Sequence, residues 1–194
     1  MKTTLFLLGG LFVLSSGCGD DDLADATGTD NGSDVSCSGS GCECGVPTAG
    51  ACTCTAGPDC KEECGGLACS MSCEQAAKCN LNGTGTIDLV CHDSSECKGN
   101  GGDGSDIQCI DSSKCELKAG ANSTAVCSGT ANCKLNLGAG STVDCNDTAA
   151  CDIKCSGDCK VTCAPEASCS LGCGADGTEL STECPDATLA CGAC

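Results

Sequence analysis

Apolar and polar residues alternate with a period of two over short runs along most of the chain. Val143 and Cys145 frame Asp144, Ile107 and Cys109 frame Gln108, and Cys133, Leu135 and Leu137 are separated by Lys134 and Asn136. Such alternation turns one set of side chains to one face of a β-strand. Between the runs lie segments such as NDTAA and GAGS, rich in the residues that favour turns. No stretch carries an apolar stripe at helical spacing, so strands and tight turns are expected and helices are not.

The alternation is itself repeated. CEQAAKCNLNGTGTIDLV starts at Cys73, CHDSSECKGNGGDGSDIQ at Cys91 and CIDSSKCELKAGANSTAV at Cys109. CSGTANCKLNLGAGSTVD follows from Cys127, CNDTAACDIKCSGDCKVT from Cys145 and CAPEASCSLGCGADGTEL from Cys163. The period is 18 residues, and a weaker copy from Cys54, CTAGPDCKEECGGLACSMS, is one residue longer. Self-similarity at a fixed period of this length marks a solenoid, in which each copy is one coil stabilised by its neighbours. The predicted fold is all-β: a disulfide-rich parallel β-solenoid (β-helix) of about six coils with irregular Cys-rich ends. Each coil reads strand, turn, strand, turn, and six coils stacked at strand spacing make a rod roughly 29 Å long. Residues 1–17 read as a signal peptide, 18–36 as an acidic tether and 37–72 as an N-terminal cap with a first irregular coil. Residues 73–180 form the repeat array, and 181–194 a C-terminal cap.

The interior of such a rod is short of bulk. The chain has 27 cysteines, no Trp or Tyr, and only two Phe, Phe6 and Phe12, both near the N-terminus. A core of Val, Ile, Leu, Ala and Cys alone is thin, so cross-links must supply part of the stability. In each copy two cysteines flank one turn: Cys54 and Cys60, Cys73 and Cys79, Cys91 and Cys97, Cys109 and Cys115, Cys127 and Cys133, Cys145 and Cys151, Cys163 and Cys169. Two pairings fit this spacing. One closes the turn within a coil; the other joins equivalent cysteines of neighbouring coils, whose separation also suits a disulfide. Extra cysteines favour the first, because Cys155 and Cys159, and Cys64 and Cys69, arrive two at a time around the other turn. Cys173 has no such partner, since Gly177 stands in its place, and is expected to reach into the C-terminal segment, to Cys184. A seven-residue loop closed by a disulfide is worth about 2.4 kcal/mol in the chain-entropy view, and six such loops roughly 14 kcal/mol, as much as a whole ordinary domain.

The heptapeptides CIDSSKC, CHDSSEC, CSGTANC and CNDTAAC share the pattern C-x-x-[ST]-x-x-C. That pattern resembles the coil of the insect disulfide-laddered antifreeze β-helices, which implies cystines bridging the interior of each coil. The flat Thr-Cys-Thr row of that family is not matched: the first cysteine is flanked as Val-Cys-His, Gln-Cys-Ile, Val-Cys-Ser and Asp-Cys-Asn. The resemblance extends to the scaffold and not to ice binding.

The N-terminal segment MKTTLFLLGGLFVLSSGC carries one basic residue, Lys2, and an apolar run of ten from Leu5 to Leu14. That run is too short to span a bilayer and reads as an export signal. Leu14-Ser15-Ser16-Gly17-Cys18 resembles the lipobox of bacterial lipoproteins, with Ser15 where that family usually has an aliphatic residue. The resemblance implies lipidation at Cys18, attachment to the membrane through the N-terminal lipid, and a place in the cell envelope, at the outer membrane or cell surface. Gly19 after Cys18 suits outer-membrane sorting in well-known lipoproteins. Parity agrees: removing Cys18 from an odd total leaves 26 cysteines, which can pair completely. Residues 19–36, GDDDLADATGTDNGSDVS, have six Asp and no Lys and read as an extended spacer. Past the signal the formal charge is −19, which excludes nucleic acid as a partner.

Little else in the chain points to chemistry. Cys42 with Cys44, Cys52 with Cys54, and Cys191 with Cys194 have spacings that let two thiolates reach one soft ion, but in an exported protein disulfides are the simpler expectation. GGDGSD, residues 101–106, is similar to the start of the calcium-binding RTX nonapeptide, with Asp103 and Asp106 as its acids. That motif must recur every nine residues, and the neighbouring copies read AGANST and LGAGST. His92 is the single His, which leaves a Ser/His/acid set without context. No metal, cofactor or catalysis is therefore expected. The Asn-x-Ser/Thr triplets at Asn31, Asn82, Asn122 and Asn146 read as turn residues. The expected function is a non-enzymatic, lipid-anchored, rigid acidic scaffold or surface-binding module that meets a surface protein or glycan. The alternative is an ion-binding protein, with thiolates on a soft metal or acidic turns on calcium.

Overall fold

The computed structural model describes residues 36–38, 42–44, 51–55 and 59–194. Every regular element among them is a strand, and the strands form two sheets of nine and ten. In the first sheet seven strands run parallel: Asp59–Glu63, Lys78–Asn82, Glu96–Asn100, Lys114–Ala119, Asn132–Leu137, Ala150–Cys155 and Ser168–Cys173. In the second, the parallel strands are Ala51–Thr55, Cys69–Glu74, Ile87–Cys91, Asp106–Cys109, Thr124–Cys127, Thr142–Cys145 and Cys159–Cys163. The chain alternates between the sheets, so each coil contributes one strand to each. Register follows the repeat: Cys115 faces Cys97 on one side and Cys133 on the other, each 18 residues away. Cys60 faces Cys79, 19 away, because the first coil carries the extra residue.

Both ends of the stack change direction. Ser36–Ser38 and Cys42–Cys44 pair antiparallel with the first coil. Glu179–Leu180 and Leu189–Cys191 do the same at the last, with Thr182–Glu183 beyond. An antiparallel strand cannot continue the solenoid, so these segments shield the parallel edges.

Inside, residues at each position of the coil stack into columns. One column of each sheet is cysteine. Beside them run Leu81, Gly99, Leu117, Leu135, Ile153 and Leu171 from the first sheet, and Met71, Leu89, Ile107, Ala125, Val143 and Val161 from the second, all buried. Gly99 leaves room that the Leu117 side chain leans over: a Cβ at Gly99 would lie 3.4 Å from Leu117 Cδ2 and would collide with the Leu81 carbonyl. The Cys-flanked turns use the left-handed region at Gln75, Asp93, Asp111, Gly129 and Asp147, and at Ala76 as well; Asp and Gly are the types that tolerate it, Gln and Ala are not. Pro165 holds that place in the coil from Cys163, and its ring fixes φ negative, so that turn takes another form.

The third column of the second sheet lines the Gly-rich turn. Ser105, Ser123 and Ser141 are buried there, and each hydroxyl donates to a carbonyl of its own turn, at Gly102, Gly120 and Gly138, over 2.8–2.9 Å. Each also accepts a backbone N–H from the coil before it: Ile87 to Ser105, Ser105 to Ser123 and Ser123 to Ser141, at 3.2 Å. The hydroxyls therefore tie turn to turn as well as closing each turn.

Ser123→Ala leaves the buried Ser105 N–H without its acceptor and is expected to cost about 1–3 kcal/mol in denaturant unfolding with disulfides intact. Ser113, buried at the opposite turn, has a hydroxyl with no partner, and alanine fills the same place at Ala77, Ala131 and Ala149. Ser113→Ala is expected to be neutral or to stabilise by up to about 1 kcal/mol in the same assay.

Candidate functional site

The cystines are the dominant chemical feature of the rod. The structure joins Cys54 to Cys60, Cys73 to Cys79, Cys91 to Cys97, Cys109 to Cys115, Cys127 to Cys133, Cys145 to Cys151 and Cys163 to Cys169, with Cα atoms 6.1–6.6 Å apart. Each bridge crosses the narrow interior at one turn and links the two sheets within one coil. Consecutive bridges touch: the sulfurs of Cys73, Cys91 and Cys97 lie within 4.8 Å of one another, as do those of Cys109, Cys127 and Cys133. The rival linkage between coils is thus close in space, and the cysteines take the partner across the turn.

The opposite turn is closed in two ways. Cys64–Cys69 staples it in the first coil and Cys155–Cys159 near the last. Between them, Ile87 and then Ser105, Ser123 and Ser141 hold the place of Cys69 and Cys159 in register, the serines closing three of the four turns. Cys173 does not reach Cys184: it bonds Cys191, and Cys184 bonds Cys194. The reason lies in strand order. Leu189–Cys191 lies directly against Cys159–Cys163, while Thr182–Glu183, which leads into Cys184, is one strand further out. Cys18 lies outside the described residues.

These bonds bear on metal chemistry. A cystine sulfur is not a thiolate, so Cys191 and Cys194, each bonded elsewhere, do not form a paired-thiolate site. Cys52 is disulfide-bonded too, and Cys54 is taken by Cys60. The acids of the Gly-rich turn at residues 101–106 are likewise engaged: Asp103 Oδ1 accepts the Ala121 N–H at 2.7 Å and Asp106 Oδ1 the Thr124 hydroxyl at 3.1 Å. Similar carboxylate bonds recur at the other turn, where Gln75 N–H donates to Asp93 at 3.2 Å and Gly129 N–H to Asp147 at 2.9 Å. The turn acids therefore serve the stacking of coils. His92 sits at its turn, its carbonyl accepting from Ser95.

Glu62 is the anomaly. It occupies the inward column ahead of Leu81, is fully buried, and neither carboxylate oxygen has a hydrogen-bond partner. Its oxygens lie beside the sulfurs of Cys64 and Cys69. Burial pushes its pKa up to about 7 from an ordinary 4.5, because the low-dielectric surroundings disfavour the ionised form. The signal was present in the repeat, since an 18- to 19-residue alignment sets Glu62 against Leu81, but counting acids as surface residues hid it. No protein family, curated protein or solved structure matches the chain.

The folded state holds the Glu62 proton more tightly than the unfolded chain does, so the contribution of Glu62 to stability is fully present below about pH 4.5 and is lost as pH rises to about 7, a change of about 3 kcal/mol. Glu62→Gln is expected to remove that part of the slope. Urea midpoints at about pH 5 and pH 8 check it: the two proteins should converge at the acid end and separate at the alkaline end. Equal slopes would place the pH dependence elsewhere.

Proposed function

We propose that the chain is a non-enzymatic, lipid-anchored protein of the bacterial cell envelope, in which a disulfide-stapled rod is displayed on an acidic tether. The observation that carries this reading is the interior. It is filled by cystine and aliphatic columns, with the hydroxyls of Ser105, Ser123 and Ser141 committed to stacking and, among the described residues, Glu62 and Ser113 the buried side chains left without a partner, which suits a scaffold better than a catalyst. Disulfides at this density require an oxidising compartment, in keeping with the apolar run from Leu5 to Leu14 as an export signal. The resemblance of Leu14-Ser15-Ser16-Gly17-Cys18 to a lipobox supplies the anchor. The odd total of 27 cysteines leaves at least one outside the intramolecular bridges, and Cys18 fills that role.

Residues 19–36 then act as a spacer. The rod offers two sheet faces and two lines of turns as surfaces for a protein or glycan of the cell surface. Several acyl chains on Cys18 would hold it firmly, where one chain gives only marginal attachment.

Cys18→Ser is expected to move the protein from the membrane to the soluble fraction while leaving the rod folded. Intact mass of the native protein should show a lipid increment and no alkylation under denaturing conditions. A chain without lipid, with Cys18 in a disulfide, would contradict the anchored reading and leave a secreted rod.

A further inference from the structure

The two sheets differ in the charge of their outer faces. Seven of the chain's nine lysines project from strands of the first sheet, while the second carries Lys160. Most of the first face obeys a simple rule. In register, Lys114 lies beside Glu96, and Lys98, Glu116, Lys134 and Asp152 succeed one another. Ion pairs join Lys98 and Lys134 to Glu116, and Lys114 to Glu96, over 3.5–3.9 Å. All are exposed and individually worth little, but like charges stacked at strand spacing would oppose the register, so alternation is what an in-register parallel stack requires.

The column nearest the Gly-rich turn breaks the rule. It starts at Glu63, whose carboxylate accepts the Asn82 amide at 3.3 Å, and from there reads Asn82, Asn100, Lys118, Asn136, Lys154 and Gly172 with no further acid, so neither lysine has an acid in register beside it. Asn100 donates to Asn82 at 2.8 Å, whereas the Asn136 amide has no hydrogen-bond partner and neither Lys118 nor Lys154 has an ion pair among the described residues. These three residues line an open groove of about 470 Å³ together with Leu137, Gly138 and residues 174–176. Lys118 and Lys154 stand two strands apart, about 10 Å between backbones. Each flexible stem reaches roughly 6 Å, so both ammonium groups can close on one anion lying over the Asn136 amide.

We propose that Lys118, Asn136 and Lys154 form a binding site for a phosphate group, free or carried as a sugar phosphate monoester. Two ammonium charges match a dianion, lysine binds phosphate as a point charge, and the amide N–H₂ adds a neutral donor to a third oxygen. Asp176 at the rim of the groove opposes the anion and sets a limit on affinity.

The test is calorimetric titration of the full lipidated chain in neutral detergent at low ionic strength, with inorganic phosphate, glucose 6-phosphate and glucose. Saturable binding of one phosphate or glucose 6-phosphate per chain is expected, and no binding of glucose. Lys118→Ala and Lys154→Ala should each weaken binding about tenfold or more. Lys160→Ala, on the opposite sheet, should leave it unchanged, and Asp176→Asn should tighten it. Comparable affinity for both phosphates would show that the phosphate alone is read; a clear preference for the ester would point to a glycan-borne group. Unchanged binding in the Lys118→Ala/Lys154→Ala double variant would overturn the site. So would an equal loss in Lys160→Ala, since the effect would then be one of net charge.

Discussion

The cystine that crosses each coil at its turn is the interaction on which the rest of the rod depends. Two sheets of small residues enclose an interior without a single aromatic side chain among residues 59–194, too thin to hold the faces together by apolar burial alone. A bridge between the first and last residues of a seven-residue turn fixes the distance between the sheets at that edge. The closed loop also narrows the unfolded ensemble, so each coil contributes to stability before it stacks. Once the edge is fixed, the register of every strand follows, because a shift by one residue would expose the cysteines.

The opposite edge shows how the same mechanical task is met with less covalent chemistry. Disulfides close it in the first coil and again at Cys155–Cys159, and hydroxyls of Ser105, Ser123 and Ser141 close it between. A serine bond is worth less than a cystine, but it also accepts an N–H from the adjacent coil, so it couples neighbours where a disulfide within one coil does not. The stack is therefore covalent within coils along one edge and cooperative between coils along the other. The antiparallel strands at each end cover the parallel edges of the stack.

Much of this was legible in the residues. The 18-residue period gave the coil, the period-two alternation gave the strands, and paired extra cysteines pointed to closure within a coil. Legibility failed where the partner lay off the repeat. Cys173 bonds Cys191 rather than Cys184 because the C-terminal strands fold back antiparallel, a reversal that no spacing announces. Glu62 and the lysine column were hidden for a different reason. Charged residues at alternating positions read as solvated in any one copy, and only the stacked columns show that one acid points inward and that Lys118 and Lys154 have no acid in register beside them.

The within-coil ladder is tested most directly by non-reducing cleavage after lysine, followed by mass analysis of the linked peptides. Lys114 separates Cys109 from Cys115, so a bridge across that turn holds the peptide of residues 99–114 to the short peptide 115–118 and to no other. Recovery of that pair is the expected result. Linkage of residues 99–114 to 79–98 or to 119–134 would mean that cystines join neighbouring coils, and the account of how each coil is held would be wrong.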